Sequence, residues 1–474
     1  MMGFYFFPRG GSAQVARSLC RALADRQLAP TLLAGSIGPQ RDVSNAGHFF
    51  NGIHCESLDY SAAQADWAAG LDSMGGAVPM HASYEDKVGV PDRIFFELDD
   101  DAFERQVCSW QRFIATSVKQ RPNVVHLHHL TPMHEAVRAV WPGVPIVTHL
   151  HGTELKMLDD AEHSRCSRAG AWTPQWVDRM RRWAGGSDRI AVVSAQDHRL
   201  AQQLLPIDDS RISTIANGVD SDIFSPRTPQ PAERLALWRR WLVDDPLGWK
   251  PGGCVGSIRY SIDDLSAFTD RDGRPVPVVV FAGRFLRFKR LQLLIEAHHA
   301  MRATSLHPSV LVIVGGFPGE WEGEHPYDTV RRLGAHGVFL AGWRDHDELA
   351  DILNCSDVFA APSVDEPFGL VYLEAMAAGL PPIATNTGGP LSFINLDPDL
   401  PTGWLVPPDD VAATATALAE AVSDCEMLSD RGRRAARFVR EHYSWASSAE
   451  AFSRLYRELT DDRESSQRLS PRGR

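Results

Sequence analysis

The stretch VPVVVFAGRFLRFKRLQLLIEAHHAM, residues 276–301, contains a strand, a glycine turn and a helix in succession. Residues 277–282 are almost entirely apolar, as in a strand that is buried on both faces of a parallel sheet. From residue 289 to residue 301 the apolar side chains recur at helical spacing. Because parallel strands are joined by crossovers that usually contain a helix, this stretch predicts an α/β fold.

The same alternation of strands and helices continues on both sides of this stretch. Further strands are predicted at residues 3–8, 124–128, 145–150, 189–194, 211–215, 309–314, 338–340, 357–361, 380–385 and 403–406. Amphipathic helical stretches separate them. We therefore predict two doubly wound, Rossmann-like domains that face each other across a ligand cleft, at the carboxyl ends of both sheets.

The chain has 474 residues, which is too long for one hydrophobic core. We predict an N-terminal domain at residues 1–225, a linker and insertion at 226–275 and a C-terminal domain at 276–443. The polar tail at 461–474 is predicted to be disordered. The insertion contains three tryptophans, and both a role in ligand or oligomer contacts and a purely structural role are open for it.

Composition and charge predict a cytoplasmic protein that is not an integral membrane protein. No segment approaches the run of about 18 apolar residues that marks a membrane helix, and the N-terminus lacks the basic region of a secretory signal. The seven cysteines are scattered without a Cys-x-x-Cys pair, which argues against a disulfide framework and fits a reducing cytosol. The net charge of −12 argues against nucleic acid as a partner.

Two cations follow the apolar strand at residues 277–282. Arg284 and Lys289 are five residues apart, in the loop between that strand and the next helix. Fixed there, they can grip a diphosphate and stabilise negative charge as it departs. A solvated basic loop is the alternative, but the position directly after a buried strand favours a binding site.

The segment DEPFGLVYLEAMAAG, residues 365–379, follows another predicted strand and carries two carboxylates. Glu366 precedes a helix, and Glu374 lies about two turns into it. The N–H groups left free at the helix start, from Gly369 onward, can hold a phosphate while one carboxylate addresses a sugar and the other a ribose. In the alternative, Glu366 is a charge partner of the helix start and Glu374 is an exposed helix residue.

Glycine turns at strand ends form a third group of candidates. Gly10 and Gly11 lie between the first strand and the first helix, where the backbone can approach an anion, although an ordinary tight turn is an equal alternative. His151 ends a strand before Gly152 and can position a sugar hydroxyl or stabilise positive charge through its carbonyl, but a structural histidine is the alternative. The turn at residues 387–390 is interpreted as a plain turn.

Two patterns typical of metal sites are interpreted otherwise. His126 and His128 share one face of a predicted strand, since alternate strand residues do. The spacing offers no convincing third ligand, so a structural role is favoured for them. Asp220-Ser221-Asp222 has the Asp-x-Asp form of metal–diphosphate sites and is interpreted as a turn. We therefore predict no metal site.

Taken in order, these motifs resemble those of the GT-B fold, retaining glycosyltransferases of glycosyltransferase family 4. That family includes bacterial glycogen synthases, sucrose synthases and mannosyltransferases. The most specific motif is Glu-x7-Glu, from Glu366 to Glu374, and Gly-Arg-x4-Lys, from Gly283 to Lys289, lies at the expected distance upstream. Asn217-Gly218-Val219-Asp220 resembles the exit of the family from its N-terminal domain.

The resemblance implies a role for each candidate residue. Arg284 and Lys289 would bind the diphosphate of a nucleotide sugar donor, Glu366 would contact the transferred sugar, and Glu374 the ribose. The implied catalytic residues are His151, Arg284, Lys289 and Glu366, and the implied nucleotide-sugar-binding residues are Gly10, Gly11, Arg284, Lys289, Phe368, Gly369, Leu370 and Glu374.

The resemblance also implies the chemistry of the reaction and the position of the last helix in the fold. The family works without a bound metal or cofactor, retains the anomeric configuration and transfers to a sugar or sugar-like acceptor. A front-face mechanism, in which the leaving phosphate deprotonates the acceptor, fits a site with cations and free amides but no acid–base pair of the glycosidase kind. A final helix at 444–460 would cross back to complete the N-terminal domain.

Three other hypotheses remain open at this point. A pseudo-glycosyltransferase that couples a cyclitol or amino sugar would have the same motifs, and product analysis would distinguish it. A catalytically degenerate nucleotide-sugar-binding protein is disfavoured by the intact cations and carboxylates. Residues 176–183, WVDRMRRW, are a weak candidate for peripheral membrane contact, with an ordinary surface helix as the favoured alternative.

Overall fold

The computed structural model of the protein describes residues 1–28, 30–85, 89–163, 170–397 and 399–469, with side chains described to Asp461. The chain divides into two compact units. The N-terminal unit contains residues 1–85 and 90–217 together with the segment that begins at Trp445, and the C-terminal unit contains residues 218–444. The N-terminal unit therefore ends at Asn217 rather than at the predicted residue 225.

The N-terminal unit is built on a seven-stranded parallel sheet with the order β3-β2-β1-β4-β5-β6-β7. Its elements are β1 Met2–Phe4, α1 Gly10–Asp25, β2 Leu32–Ser36, α2 Ala46–Phe49, β3 Cys55–Asp59, α3 Ser61–Ala68, α4 Asp100–Ser117, β4 Val125–His128, α5 Met133–Val140, β5 Ile146–His149, α6 Thr153–Glu162, α7 Thr173–Gly186, β6 Arg189–Val192, α8 Ala195–Leu204 and β7 Ile212–Thr214. The central strands are buried along their whole length, as a sheet with helices on both faces requires.

The C-terminal unit is built on a six-stranded parallel sheet with the order β10-β9-β8-β11-β12-β13. Its elements are α9 Pro231–Arg239, β8 Val278–Ala282, α10 Leu291–Thr304, β9 Val310–Val314, α11 Pro326–Leu333, β10 Val338–Gly342, α12 His346–Asn354, β11 Val358–Ala361, α13 Leu370–Ala377, β12 Pro382–Thr385, β13 Trp404–Val406, α14 Val411–Ser423 and α15 Cys425–His442. The two parallel sheets confirm the predicted α/β class with two Rossmann-like domains.

The last helix, α16 Trp445–Leu469, packs within the N-terminal unit. Its Phe452 and Leu455 join a buried cluster with Leu19 of α1 and Phe50. The Ser448 hydroxyl donates a hydrogen bond to the carbonyl of Ala216 at 2.7 Å. The helix continues to residue 469, so the predicted disordered tail from residue 461 is wrong over 461–469, and residues 470–474 lie outside the described chain.

The predicted insertion at 226–275 is part of the C-terminal unit. It covers β10, the edge strand of the sheet, so closely that a Cβ on Gly248 would lie 2.2 Å from the carbonyl oxygen of Leu340. Trp238 is fully buried and stacks on Phe268 at 5.4 Å between ring centroids. Edge strands expose unpaired backbone groups, and covering them prevents edge-to-edge pairing. Of the two open interpretations, the structure therefore supports structural packing.

Helix α7 contains the segment that was considered for membrane contact. Trp176 is fully buried and its indole N–H donates to the carbonyl of Leu98 at 2.7 Å. Trp183 is buried as well, and the guanidinium of Arg179 lies 3.9 Å from the centroid of the Phe103 ring. The aromatic residues of this helix belong to the core, so the membrane-contact interpretation is wrong.

Among the described residues, no helix combines the length and the hydropathy that crossing a membrane requires.

The Asp-x-Asp motif begins at Asp220, whose carboxylate accepts the backbone N–H groups of Asp222 at 3.0 Å and Ile223 at 3.2 Å. This is the local bonding of an Asx turn, as predicted for the Asp-x-Asp motif.

His298 on α10 makes the stability of the C-terminal unit sensitive to acid. Burial lowers the pKa of this histidine to about 3, and its described partner is the Ser309 hydroxyl at 3.3 Å. An unfolded histidine has a pKa of about 6.5, so below that pH the unfolded state binds a proton that the folded state does not. Stability is therefore lost as the pH falls below about 6.5.

The variant His298→Gln is expected to remove this contribution. Between about pH 7.5 and pH 5.5 the wild type should lose about 1.4 kcal/mol more unfolding free energy than the variant, as measured by urea titration. His307→Gln, which removes an exposed histidine of the same unit, controls for the substitution itself. Equal losses in wild type and His298→Gln would contradict the assignment.

Candidate active site

The predicted donor residues of the C-terminal unit lie in loops that follow neighbouring strands. Strands β8, β11 and β12 are adjacent in the sheet and parallel. The loops that begin at Gly283 and at Pro362 and the turn at residues 387–390 therefore leave the same edge of the sheet. This carboxyl edge is where open α/β sheets bind ligands.

Lys289 and Glu366 form an ion pair across two of these loops. The ammonium of Lys289 donates to Oε2 of Glu366. The side chains are 13% and 9% exposed, so little solvent screens the pair. The structure thus brings together two predicted site residues that lie 77 positions apart in the chain.

Backbone contacts hold the two loops in register. The N–H of Val364 donates to the carbonyl of Phe288 at 2.8 Å, directly beside the ion pair in sequence. Arg290, which follows Lys289, has φ +49° and donates to the carboxylate of Asp409. Lys289 thus lies between two fixed points, which limits the positions that its charge can take.

The start of α13 carries the amides that were assigned to phosphate binding. Gly369 is the N-cap and has φ +94°, a conformation that favours glycine. No side chain caps this helix start. A Cβ on Gly369 would lie 2.7 Å from the ring of Tyr372 and 3.3 Å from Cγ of Glu366. Phe368 and Leu370 flank this N-cap residue in the sequence. Phe368 is buried and Leu370 is half-buried.

The turn at residues 387–390 contributes more than the plain turn that was predicted. The N–H of Gly389 donates to the carbonyl of Glu366 at 2.6 Å. A Cβ on Gly388 would lie 2.5 Å from that same carbonyl oxygen, and a Cβ on Gly389 would lie 2.4 Å from the carbonyl oxygen of Phe368. Only glycines allow this approach, so the turn positions the Glu366 loop.

Glu374 lies on α13 beside a histidine of the neighbouring helix. Its Oε1 is 3.7 Å from Nε2 of His346, the first residue of α12. Glu374 is 9% exposed, so the alternative of an exposed helix residue is wrong. The His346 and Phe224 rings pack in a T-shaped arrangement, with their centroids 4.8 Å apart. The sequence offered no local signal for His346, because it comes from another loop.

Sequence reasoning also missed the residues behind the Arg284 loop. A Cβ on Gly315, which follows β9, would lie 2.1 Å from the carbonyl oxygen of Gly283. Phe285, the neighbour of half-buried Arg284, stacks on Trp249 of the insertion at 5.8 Å. Gly315-Gly316 directly follows an apolar strand, which was a usable signal for the close approach to Gly283. The contact of Phe285 with Trp249 joins segments that are distant in the sequence, so no local pattern could reveal it.

The N-terminal unit holds the remaining predicted residues. Gly10 begins α1 with φ +68°, and both Gly10 and Gly11 are exposed. The preceding Arg9 pairs with the buried carboxylate of Asp92 at 2.5 Å. The pair anchors the loop that leads into the helix, and the glycine backbone stays accessible at the helix start.

His151 is held from both sides by buried groups. Its backbone N–H donates to Glu154 Oε1 at 2.9 Å, and its Nε2 lies 2.9 Å from Nδ1 of His128. Burial opposes ionisation of Glu154, but His129 and the His151 N–H hold the pKa of that carboxyl below its usual value. Burial and then the neighbouring histidines hold the pKa of His151 well below 6.5, so its ring is neutral near pH 7.

The histidines of β4 gain a third neighbour that their spacing did not reveal. His128 lies opposite His149 in the β4–β5 pairing. One ring nitrogen each of His126, His128 and His149 lies within 4.8 Å of the others, and all three residues are buried. Burial lowers the pKa of His149 to about 3 and those of the other two well below 6.5. A third histidine, which the spacing in the sequence did not reveal, therefore lies close to His126 and His128.

Comparison with known proteins identifies the family. Residues 9–223 match the description Glycosyltransferase Family 4, and residues 270–438 match Glycosyl transferases group 1. The sequence is 30% identical over 330 residues to the D-inositol 3-phosphate glycosyltransferase of Corynebacterium glutamicum (strain R). The matched region covers 68% of this chain and 68% of that protein. The chain belongs to glycosyltransferase family 4.

This family 4 glycosyltransferase, an enzyme of the EC 2.4 class, has further relatives. It is 27% identical over 350 residues to the glycogen synthase of Mycobacterium tuberculosis, across 72% of this chain and 70% of the relative. Sucrose-phosphate synthase from Thermosynechococcus elongatus superimposes with a TM-score of 0.67 at 19% identity, over 97% and 99% of the two chains. Anabaena HepE in complex with UDP-glucose superimposes with a TM-score of 0.61 at 15% sequence identity. The match covers 97% of this chain and 100% of the HepE chain. These structures confirm the predicted GT-B fold.

Proposed function

We propose that this glycosyltransferase moves a glycosyl unit from a nucleotide diphosphate sugar to an acceptor hydroxyl, with retention of configuration and without a metal at the donor. The Lys289–Glu366 ion pair carries the proposal. It places a shielded cation and a carboxylate together at the carboxyl edge of the central strands, where a departing diphosphate and a sugar would need them.

In this proposal the cations take the part that a metal plays in other transferases. Lys289, with Arg284 at the start of the same loop, binds the diphosphate and stabilises its charge as it leaves. The amides of Phe368, Gly369 and Leu370 at the start of α13 add hydrogen-bond donors. A fixed ammonium and fixed amides need no reorganisation during the reaction, which is the condition for strong electrostatic stabilisation.

Carboxylates and a neutral histidine address the sugar side of the donor. Glu366 contacts the transferred sugar while it orients Lys289, and Glu374, beside His346, binds the ribose. We further propose His151 as a residue that hydrogen-bonds the sugar and Gly10 and Gly11 as residues that bind the phosphate. Because the His151 ring is neutral, it can hydrogen-bond a hydroxyl without opposing an oxocarbenium-like positive charge.

Relatives support the class of donor and acceptor. The HepE structure contains UDP-glucose, and one relative is named a D-inositol 3-phosphate glycosyltransferase and another a glycogen synthase. These names favour a nucleotide sugar as donor and a sugar or sugar-like molecule as acceptor for this chain as well.

Nucleotide binding tests the donor site. Calorimetry with UDP, GDP, ADP and dTDP in buffer that contains a chelator should find one nucleotide that binds the wild type, and Lys289→Ala should bind it at least about tenfold more weakly. Lys250→Ala, which removes an exposed lysine of the same unit, should bind like the wild type. Equal binding by Lys289→Ala, or no binding of any nucleotide, would count against the proposal.

Product analysis tests the stereochemical part of the proposal. With the donor identified, proton NMR of the first product should show the anomeric configuration of the donor, and added Mg²⁺ should leave turnover unchanged. An inverted product would overturn retention, and a product joined through a cyclitol would favour the pseudo-glycosyltransferase alternative.

A further inference from the structure

A cluster of buried histidines, His126, His128 and His149, lies on the sheet of the N-terminal unit. His126 and His128 come from β4, and His149 comes from the neighbouring β5. Their exposed fractions are at most 2%. One ring nitrogen of each lies within 4.8 Å of the others. Three imidazoles from two adjacent strands thus converge on one small volume.

The hydrogen bonds of these rings leave several buried ring nitrogens without a partner among the described residues. Nδ1 of His126 bonds the hydroxyl of Tyr456 on α16, and Nδ1 of His128 bonds Nε2 of His151. Among the described residues, Nε2 of His126, Nε2 of His128 and both nitrogens of His149 have no hydrogen-bond partner. A buried polar atom without a partner costs about 1–3 kcal/mol, and three such side chains rarely occur together without a reason.

This pattern is the one that metal ligation requires. A metal-bound histidine uses one ring nitrogen for the metal and gives the other to a neighbouring group that fixes its orientation. His126 and His128 both have that second partner in place at Nδ1, and Nε2 of each has no hydrogen-bond partner among the described residues. A single cation could bind one unpartnered nitrogen of each of the three rings, and the second nitrogen of His149 would keep no partner among the described residues.

We infer that His126, His128 and His149 bind one divalent transition-metal ion, with zinc as the favoured ion. Imidazole is a preferred ligand of zinc and of its neighbours copper and nickel, whereas magnesium and calcium prefer oxygen ligands. In a tetrahedral zinc site with ligand bonds of about 2.0–2.1 Å, nitrogens lie about 3.3 Å apart. The nitrogens now lie within 4.8 Å of one another, so they would approach by up to about 1.5 Å on binding, and a water molecule can take the fourth position.

The ion would act as a structural cross-link. It joins β4 to β5, and through Tyr456 it links the sheet to α16. Phe452 of α16 covers the cluster, with its ring 4.8 Å from that of His126 and 5.0 Å from that of His149. The site lies in the core of the N-terminal unit and is distinct from the donor loops of the C-terminal unit. It therefore does not rest on the proposed function.

Metal analysis of the untagged protein tests this site, because a polyhistidine tag would itself bind zinc. The protein is stripped with a chelator, reconstituted with zinc, desalted and analysed by mass spectrometry for metals. We expect about one zinc ion per chain for the wild type. We expect only trace amounts of zinc in His149→Asn and in His126→Asn. His134→Asn is the matched control: it removes another buried histidine of the same unit, which bonds Thr131 and Thr148, and should keep the ion.

Cobalt provides a second readout that does not depend on a variant folding. Reconstitution of the wild type with Co²⁺ should give the strong visible absorption of a tetrahedral site, and zinc should raise the thermal midpoint of the stripped protein. A wild type that takes up neither ion, or equal metal content in wild type and His149→Asn, would overturn the inference. Neither readout uses a nucleotide or a sugar, so failure here is separable from failure of the donor proposal.

Discussion

Lys289→Ala is expected to lower turnover at saturating donor by about 10²–10³, the loss typical of removing one preorganised charge-stabilising donor. Lys289 is nearly shielded from solvent beside Glu366, so its charge acts with little screening. The measurement is initial rate against donor concentration. Lys250→Ala, an exposed lysine in the same unit, should keep the wild-type rate.

The variant also leaves the buried Glu366 carboxylate without the ammonium, which lowers stability apart from any effect on chemistry. The double variant Lys289→Ala/Glu366→Gln removes the unpaired charge. We expect it to recover unfolding free energy but not turnover. Wild-type turnover in Lys289→Ala, or turnover restored in the double variant, would show that the ion pair is structural only.

Gly388→Ala is expected to lower turnover by about 10², because a misplacement of a catalytic group by about 1 Å can have an effect of that size. The new Cβ would lie 2.5 Å from the carbonyl oxygen and 2.8 Å from the nitrogen of Glu366. The two Glu366 atoms that the new Cβ would meet belong to the backbone, so no side-chain rotation can relieve the clash. The Glu366 loop must therefore move.

Gly334→Ala is a control for placing an alanine at positive φ. Gly334 has φ +59° and ψ +33°, where an alanine costs about 1 kcal/mol. Gly388 has φ +75° and ψ −158°, a region that is essentially confined to glycine, so its alanine variant carries more backbone strain. A Cβ on Gly334 meets no atom within 4 Å. We expect Gly388→Ala to lose more stability than Gly334→Ala, and only Gly388→Ala to lose nucleotide affinity and turnover. If the two variants behaved alike, the turn would have no role in positioning Glu366.

The local elements of the fold were predictable where one pattern dominated. Helix α5 lies between the predicted strands at 124–128 and 145–150, where an amphipathic helical stretch was expected, and its apolar face is unbroken. Helix α4 was missed although Asp99 caps it by accepting the N–H of Ala102 and two acidic residues follow in its first turn. Those signals are local and could have been recognised. Strand β2 is a short apolar run, which periodicity alone does not separate from a buried helix.

The donor motifs were recognisable because each lies within a few residues of its own strand end. What holds them in place was not, since it depends on which strands are neighbours. The bond from Val364 to Phe288 follows from β8 lying beside β11. The meeting of His149 with His128 follows from the pairing of β4 with β5. Strand order is set by the packing of the whole unit and leaves no mark in a short window of sequence.

The return of α16 to the N-terminal unit also has a consequence for biosynthesis. The cluster around Leu19 and Phe50 needs Phe452 and Leu455 to be complete. At about 5–20 residues per second, a ribosome needs on the order of ten seconds or more to make residues 218–444 in between. During that interval an apolar face of the nascent unit stays uncovered. We expect this enzyme to depend on chaperones that shield nascent chains, and truncation before Trp445 to yield an insoluble product.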